Sequence, residues 1–159
     1  MTRLEYIARE LTARKKTITT AESCTGGLLA AELTSVPGSS AYFQRGFVTY
    51  SDQSKTQLLN VLPSTLRHYG AVSEETVREM ALGALVATRN DYAIGISGIA
   101  GPDGGSEDKP VGTVWFGFAT KQRIWAKQYR FDGDRRQVRE QAVQYALAIL
   151  EHYLKTSEK

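Results

Sequence analysis

The chain has 159 residues, a length that accommodates a hydrophobic core and is too short for two ordinary domains. Hydrophobic residues make up 42% and charged residues 23%, and no apolar run approaches the roughly 18 to 20 residues that span a bilayer. The net charge of +3, with basic and acidic residues interleaved, disfavours nucleic-acid binding and is compatible with a site for a small anion.

Helical and strand patterns alternate along most of the chain, and the last two strands form a predicted hairpin. Helices are predicted where apolar side chains recur at three- and four-residue spacing, and strands where short runs are rich in β-branched or aromatic residues. Ser51 and Ser73 are expected as helix caps, and Pro37 and Gly38 end the second helix. In chain order, the predicted elements are a helix over 2–15, a strand over 17–21, a helix over 25–35, a strand over 43–50, short helices over 52–58 and 63–70, a helix over 73–88, strands over 92–97, 111–120 and 122–131, and a helix over 135–154.

This order of elements predicts the fold class. Strands that alternate with helices favour a mostly parallel sheet with helices on both faces. The hairpin of residues 111–120 and 122–131 requires one strand to run antiparallel. The sequence has no internal repeat, low-complexity tract or linker. We therefore expect a single domain over residues 1–159, an α/β protein built as a three-layer α/β/α sandwich around a mixed, mostly parallel sheet of about five strands.

Cysteine usage and the amino-terminal residues bear on the cellular compartment. The single cysteine, Cys24, excludes an internal disulfide and is typical of a reducing compartment. The first ten residues carry charges where a signal peptide would be apolar. We therefore expect a cytoplasmic protein.

Polar side chains follow the first strand, at the edge where open α/β sheets bind ligands. Ser23, Cys24 and Thr25 stand there in front of Gly26 and Gly27. A serine nucleophile at this turn would place a substrate carbonyl over backbone N–H groups, which is the arrangement that an oxyanion needs. The alternative is that Ser23 only caps a helix beginning at Thr25, and the turn by itself supports both roles equally.

A serine nucleophile needs a base, and Lys55, in the loop and helix after the second strand, is the candidate. His68 and His152 fall in helices away from the strand ends, which disfavours a serine–histidine triad. Lys55 would have to be neutral, and burial could lower its pKa from about 10.4. A nearby charge, that of Asp52, would oppose this shift. The alternative for Lys55 is an exposed helix lysine.

Cys24 is a second candidate nucleophile, because a thiolate is favoured at a helix amino terminus. Adjacent residues point in different directions, so only one of Ser23 and Cys24 can face a substrate. The alternative for Cys24 is a small buried thiol that packs beneath the turn. Glu22 alternates to the opposite side of the strand from Ser23, which should keep its charge away from the nucleophile.

Two further features are suited to anions. The loop over residues 98–110 is rich in glycine, and glycine lets backbone N–H groups approach a phosphate closely. The start of the last helix contributes Arg135, Arg136 and Arg139, of which Arg139 can form a bidentate contact with a phosphate. The alternatives are an ordinary exposed connection and surface arginines. No His, Cys, Asp or Glu cluster has metal-ligand spacing, so we expect neither a metal nor a cofactor.

Six segments recur in the order found in a known family. They are Thr20–Gly27, Pro37–Ser40, Gly46–Ser51, Gly70–Ser73, Ser97–Gly105 and Lys109–Val114. With these segments the chain resembles the nicotinamide-nucleotide amidohydrolase family, the stand-alone form of the C-terminal domain of the competence/damage-inducible protein CinA. The resemblance extends over nearly the whole chain.

The resemblance implies an enzyme that hydrolyses nicotinamide mononucleotide to nicotinate mononucleotide and ammonia, in pyridine nucleotide recycling. It implies a serine/lysine pair that corresponds to Ser23 and Lys55. Tyr50, Ser97 and Arg139 correspond to supporting groups of the family, although many relatives have threonine in place of Ser97. Residues of the turn after the first strand and of the glycine-rich loop are added to these groups. The predicted substrate-binding residues are then Thr25, Gly26, Tyr50, Ser97, Gly98, Gly101 and Arg139.

The expected partner is therefore a small-molecule nucleotide, with no nucleic acid and no membrane, and the resemblance is compatible with a homo-oligomer. An alternative from a different functional class is a nucleotide-binding regulatory module that keeps this fold without turnover. The presence of both Ser23 and Lys55 favours the enzyme.

Overall fold

A computed structural model of the chain describes residues 1–157, so the last two residues of the domain expected over 1–159 lie outside the described part. A short 3-10 turn over Ser39–Ala41 precedes the second strand. The elements are α1 (Arg3–Arg14), β1 (Ile18–Glu22), α2 (Leu28–Leu33), β2 (Phe47–Val48), α3 (Asp52–Leu59), α4 (Pro63–Tyr69), α5 (Glu74–Thr88), β3 (Tyr92–Gly98), β4 (Thr113–Thr120), β5 (Ile124–Arg130) and α6 (Arg135–Thr156).

The strands of the described chain form one mixed sheet in the order β2-β1-β3-β4-β5. β1 pairs in parallel with β2 and β3, whereas β4 is antiparallel to both β3 and β5. Helices α1, α2 and α6 contact one another on one face, and α3 and α4 pack on α5, which covers the other face. The predicted three-layer α/β/α sandwich, with one antiparallel strand in the hairpin, is therefore confirmed.

Side-chain alternation along the strands divides the core into two clusters. Ile94 and Ile96 of β3 point into the cluster that contains α1 and α6, whereas Ala93 points into the cluster built around α5. Gly95 belongs to the second face, and a Cβ there would lie 2.9 Å from the Val77 carbonyl oxygen of α5. The small residues on this face therefore let the α5 backbone lie close to the sheet.

Two predicted boundaries differ from the structure by three residues or more. The helix expected from residue 25 begins at Leu28, because Gly26 and Gly27 have φ values of +57° and +106°, which a right-handed helix does not accommodate. The strand expected over 43–50 is reduced to Phe47–Val48. Ahead of it, the chain contacts β1 at separate points: the Ile18 N–H donates to the Tyr42 carbonyl at 2.8 Å, and the Arg45 carbonyl accepts a hydrogen bond from the Thr19 hydroxyl at 2.7 Å.

Candidate active site

The carboxyl ends of β2, β1 and β3 lie side by side and hold Ser23 between them. The Ser23 N–H donates to the Ile96 carbonyl at 2.9 Å, and the Thr49 N–H donates to the Glu22 carbonyl at 2.8 Å. Strand alternation from Ala21, which packs in the α5 cluster, places the Ser23 side chain on the face covered by α3 and α5.

Lys55 extends from α3 to the same point and is fully buried, with 0% exposure. Its Nζ atom lies 3.0 Å from Ser23 Oγ and donates to the carbonyls of Thr49 and Tyr50 at 2.9 and 3.3 Å. Burial lowers the pKa of Lys55 below the ordinary lysine value, and the charge of Asp52 acts in the opposite direction without cancelling this effect. Among residues 1–157, no carboxylate forms an ion pair with Lys55.

The three partners of Lys55 are oxygen atoms, and a protonated amine can donate a hydrogen bond to each of them. It is burial, by lowering the pKa, that favours the neutral form. In that form two N–H groups bind the carbonyls of Thr49 and Tyr50, and the lone pair is left for Ser23 Oγ. Such an amine can accept the proton of the serine hydroxyl.

The turn after β1 presents backbone donors next to Ser23. The Gly26 N–H donates to the Ser23 carbonyl at 3.1 Å and closes the turn. Within the described residues, the N–H groups of Thr25 and Gly27 donate to no protein acceptor. Thr25 is 0% exposed, so of these two groups it is the Gly27 N–H that is available for a developing oxyanion close to the serine.

The N-cap residue of α2 is Gly27, and the side chain that binds the N–H groups of the first turn is that of Glu22 and not that of Ser23, so the alternative of Ser23 as a helix cap is wrong. The buried Glu22 carboxylate accepts hydrogen bonds from the N–H groups of Leu29 and Ala30 at 2.8 and 3.1 Å and from the Thr25 hydroxyl at 2.6 Å. The sequence contained no local signal for this contact, because a carboxylate six residues before the first helical residue is outside any capping pattern. Glu22 does point away from the Ser23 side, as expected from strand alternation.

Cys24 packs in the cluster that includes α6 and is only 5% exposed. Burial raises the pKa of its thiol to about 11, although the backbone N–H groups of Cys24 and Gly98 favour the thiolate. The thiol is therefore protonated at neutral pH and faces the core. This geometry agrees with the packing role and gives no support to Cys24 as the nucleophile.

Two arginines of α6 reach the loops around Ser23. Arg139 Nε donates to the Cys24 carbonyl at 2.9 Å and its NH2 donates to the Thr25 carbonyl at 3.4 Å, so the guanidinium supports the nucleophile turn. Arg135 donates to the Tyr50 hydroxyl at 2.7 Å and to the Gly101 carbonyl at 3.0 Å. The sequence placed Arg135 only in a basic run, and its link between two loops was not predicted.

Ser97, Gly98 and Gly101 lie along the end of β3 and the loop that follows it. Ser97 is the β3 residue after Ile96, and within residues 1–157 its buried hydroxyl has no hydrogen-bond partner. Gly98 belongs to β3 and not to the loop as predicted, and a Cβ there would lie 2.6 Å from Val114 Cγ2. Packing against β4 is therefore sufficient to require this glycine.

Other features of the described chain bear on the remaining alternatives. His68 lies on α4, where Nδ1 is 2.8 Å from the Ser64 carbonyl, and His152 lies near the end of α6; neither contacts Ser23. In residues 1–157, no group of three or more His, Cys, Asp or Glu side chains could hold a metal ion. None of the described helices is long and apolar enough to cross a bilayer.

Comparison with known proteins identifies the family. The family model described as the CinA C-terminal domain matches residues 2–154. The chain belongs to the CinA C-terminal domain family. The resemblance to this family that the sequence motifs predicted is therefore confirmed.

Individual members of the CinA family are similar over most of this chain. The chain is 58% identical over 147 residues to nicotinamide-nucleotide amidohydrolase PncC of Escherichia coli strain K12, covering 92% of this chain and 89% of that protein. It is 49% identical over 146 residues to a CinA-like protein of Endomicrobium trichonymphae, of which it covers 34%. A crystal structure of a CinA superfamily protein from Klebsiella pneumoniae 700603 superimposes with a TM-score of 0.93 at 43% identity, covering 99% of this chain and 100% of that one.

Proposed function

We propose that this chain is an amidase that hydrolyses nicotinamide mononucleotide to nicotinate mononucleotide and ammonia, in pyridine nucleotide recycling. The observation that carries the proposal is the 3.0 Å contact between Lys55 Nζ and Ser23 Oγ in a buried site. That contact supports the reaction class, and the 58% identity to an enzyme named nicotinamide-nucleotide amidohydrolase supports the substrate.

In the first half of the proposed reaction, Ser23 is the nucleophile and Lys55 the general base. Ser23 Oγ attacks the carboxamide carbon and Lys55 Nζ takes the hydroxyl proton, so that a C–O bond forms and the carbonyl oxygen becomes an oxyanion. The free N–H group of Gly27 is suited to bind that oxyanion. The proton on Lys55 then passes to the amide nitrogen as the C–N bond breaks and ammonia leaves.

In the second half, water replaces ammonia and the proton path is repeated. Lys55, neutral again, takes a proton from water as the water oxygen attacks the nicotinoyl ester of Ser23. The ester bond breaks, the proton returns to Ser23 Oγ, and nicotinate mononucleotide is released. The pyridinium charge of the bound substrate disfavours a protonated lysine nearby, which helps to keep Lys55 neutral.

We assign the predicted binding residues to three parts of the substrate. The exposed Tyr50 ring is suited to the face of the cationic pyridinium, and the unpartnered Ser97 hydroxyl to the carboxamide. Thr25 and Gly26 shape the turn that faces the oxyanion. We assign Gly98, Gly101 and Arg139 to the phosphate.

The test is mass analysis of the product after purified protein is incubated with nicotinamide mononucleotide. We expect conversion of the carboxamide to a carboxylate, a gain of one mass unit, with release of ammonia. Ser23→Ala and Lys55→Ala should each abolish it, whereas Ser64→Ala and Lys127→Ala, at exposed positions, should not. Near-normal turnover by either site variant would contradict the serine/lysine mechanism.

The same assay separates the alternative function. A regulatory module of this fold would bind nicotinamide mononucleotide without converting it. The lowered pKa of Lys55 and its contact with Ser23 favour turnover, because a binding module has no need of a buried base beside a hydroxyl.

A further inference from the structure

We propose that Arg135 is a positioning residue that holds the Tyr50 ring and the glycine-rich loop as one wall of the substrate site. This inference rests on the proposed function and extends it to a residue that does not touch the reacting atoms. Its basis is the pair of hydrogen bonds by which one guanidinium joins two loops that are separate in the chain.

The first bond fixes an otherwise exposed side chain. Tyr50 is 58% exposed, and its hydroxyl accepts a hydrogen bond from Arg135 at 2.7 Å. No other group of residues 1–157 bonds to that hydroxyl. Without Arg135, the ring would be free to adopt other rotamers over the open site.

The second bond joins the glycine-rich loop to the same guanidinium. Arg135 donates to the carbonyl of Gly101 at 3.0 Å. Gly101 is buried and has a φ value of +85°, and a Cβ there would lie 2.5 Å from Val111 Cγ1, so the loop is tightly packed at this point. The anchor for Tyr50 is therefore a rigid part of the molecule.

The spacing along α6 places this wall beside the nucleophile. Arg135 and Arg139 are four residues apart, so their side chains lie on one face of the helix, about 5 to 6 Å from each other. Arg139 contacts the turn at Cys24 and Thr25, while Arg135 contacts the Tyr50 hydroxyl. The same face of α6 therefore holds both the wall and the nucleophile turn, each through one arginine.

This arrangement predicts that loss of Arg135 affects substrate binding and not the rate of the chemical step. Lys55 is held by the backbone carbonyls of Thr49 and Tyr50, which do not depend on the Tyr50 ring. Without Arg135, the Tyr50 side chain would have to be ordered when the substrate binds. Loss of Arg135 should therefore weaken substrate binding about tenfold and leave kcat within about twofold.

The experiment compares Arg135→Ala with Arg136→Ala, the adjacent residue, whose exposed side chain pairs with Glu140 at 2.9 Å. Binding of nicotinamide mononucleotide is measured by calorimetry in the inactive Ser23→Ala background, and KM and kcat are measured with Ser23 present. We expect Arg135→Ala to raise Kd and KM about tenfold, Arg135→Lys to raise them less, and Arg136→Ala to change neither. The pH profile of kcat should be the same in all of them.

A double-mutant cycle identifies the residue through which Arg135 acts. Tyr50→Phe removes the hydroxyl, so Arg135→Ala should cost much less affinity in a Tyr50→Phe background than alone. Unchanged Kd in Arg135→Ala, fully additive effects, or a shifted pH profile of kcat would each overturn the proposal.

A second measurement does not depend on the substrate. Nitration of Tyr50 by tetranitromethane, followed by peptide mass analysis, should be faster in Arg135→Ala than in Arg136→Ala. If the wild-type protein fails to convert nicotinamide mononucleotide, the proposed function is wrong, and the nitration rates still decide whether Arg135 holds Tyr50. Equal rates would refute the positioning role.

Discussion

Lys55 Nζ lies 3.0 Å from Ser23 Oγ, although the two residues are 32 positions apart and lie on different elements. The carbonyls of Thr49 and Tyr50 complete the surroundings of the amine. In this pair the base is oriented by the main chain between β2 and α3, whereas a serine–histidine pair needs a third side chain for that purpose. The geometry of the base is therefore set by the fold of one short segment.

The pH dependence of turnover should report Lys55. Burial lowers the pKa of Lys55, and only the neutral amine can take the proton of Ser23. We expect kcat/KM for nicotinamide mononucleotide to rise with pH through a midpoint below the ordinary lysine value, and to level off above it. Initial rates of ammonia release between pH 5 and 10 measure this dependence. Activity that falls where a rise is expected would exclude a neutral lysine base.

Lys55→Met should change how stability depends on pH. Because the pKa of Lys55 is lower in the folded than in the unfolded chain, the unfolded chain binds more protons between the two values. The contribution of Lys55 to stability should therefore rise with pH from the lowered pKa up to about 10.4, whereas the raised pKa of Cys24 acts in the opposite direction above its ordinary value in both proteins.

Urea unfolding of wild type and Lys55→Met at a series of pH values tests this slope. Over this pH range the wild type should gain stability relative to Lys55→Met, but not relative to Lys127→Met, which replaces an exposed lysine of β5. Equal slopes in all three proteins would mean that Lys55 titrates normally in the folded state.

Cys24→Ala should retain activity. The thiol is buried and its pKa is raised to about 11, so it is protonated at neutral pH and takes no part in the proposed chemistry. We expect kcat within about threefold of wild type and slow modification of native Cys24 by iodoacetamide, because so little thiolate is present. An inactive Cys24→Ala that is still folded, alongside an active Ser23→Ala, would instead identify a cysteine amidase.

Glu22→Gln should destabilise the turn that carries Ser23. Glutamine offers one carbonyl oxygen where the carboxylate accepts three hydrogen bonds, and it brings an NH2 group close to N–H donors. Loss of these charge-assisted bonds should lower the free energy of unfolding by about 2 to 3 kcal/mol. Chemical denaturation measures it, with Glu32→Gln, which lies in α2 itself, as the matched control. A loss as small as that of the control would show that the cap is dispensable.

Local patterns were sufficient for most elements of the fold. Residues 73–88 and 135–154 were predicted as helices from apolar spacing, and the structure has α5 over Glu74–Thr88 and α6 over Arg135–Thr156. These elements follow from neighbours three and four residues apart, which the sequence displays directly. The shortened β2 was not predictable in this way, because the length of a strand depends on how its residues pair with the neighbouring strand, here β1.

Some residues of the candidate site were likewise predictable from the sequence, and others were not. Ser23 and Lys55 were identified from residue types at strand ends and from the family resemblance, whereas the Glu22 cap and the Arg135 link to Tyr50 were not. Arg135 and Tyr50 are 85 residues apart, and no local pattern records that their side chains meet. Only the packing of α6 against the strand ends brings them together.

The sequence by itself determined the order of the elements, the sandwich architecture and the presence of a serine and a lysine at the ends of neighbouring strands. The state of that lysine was decided by the tertiary structure. A pKa depends on how much water and which charges surround the amine, and those surroundings are the carbonyls of Thr49 and Tyr50, the Ser23 hydroxyl and the absence of a carboxylate partner among residues 1–157.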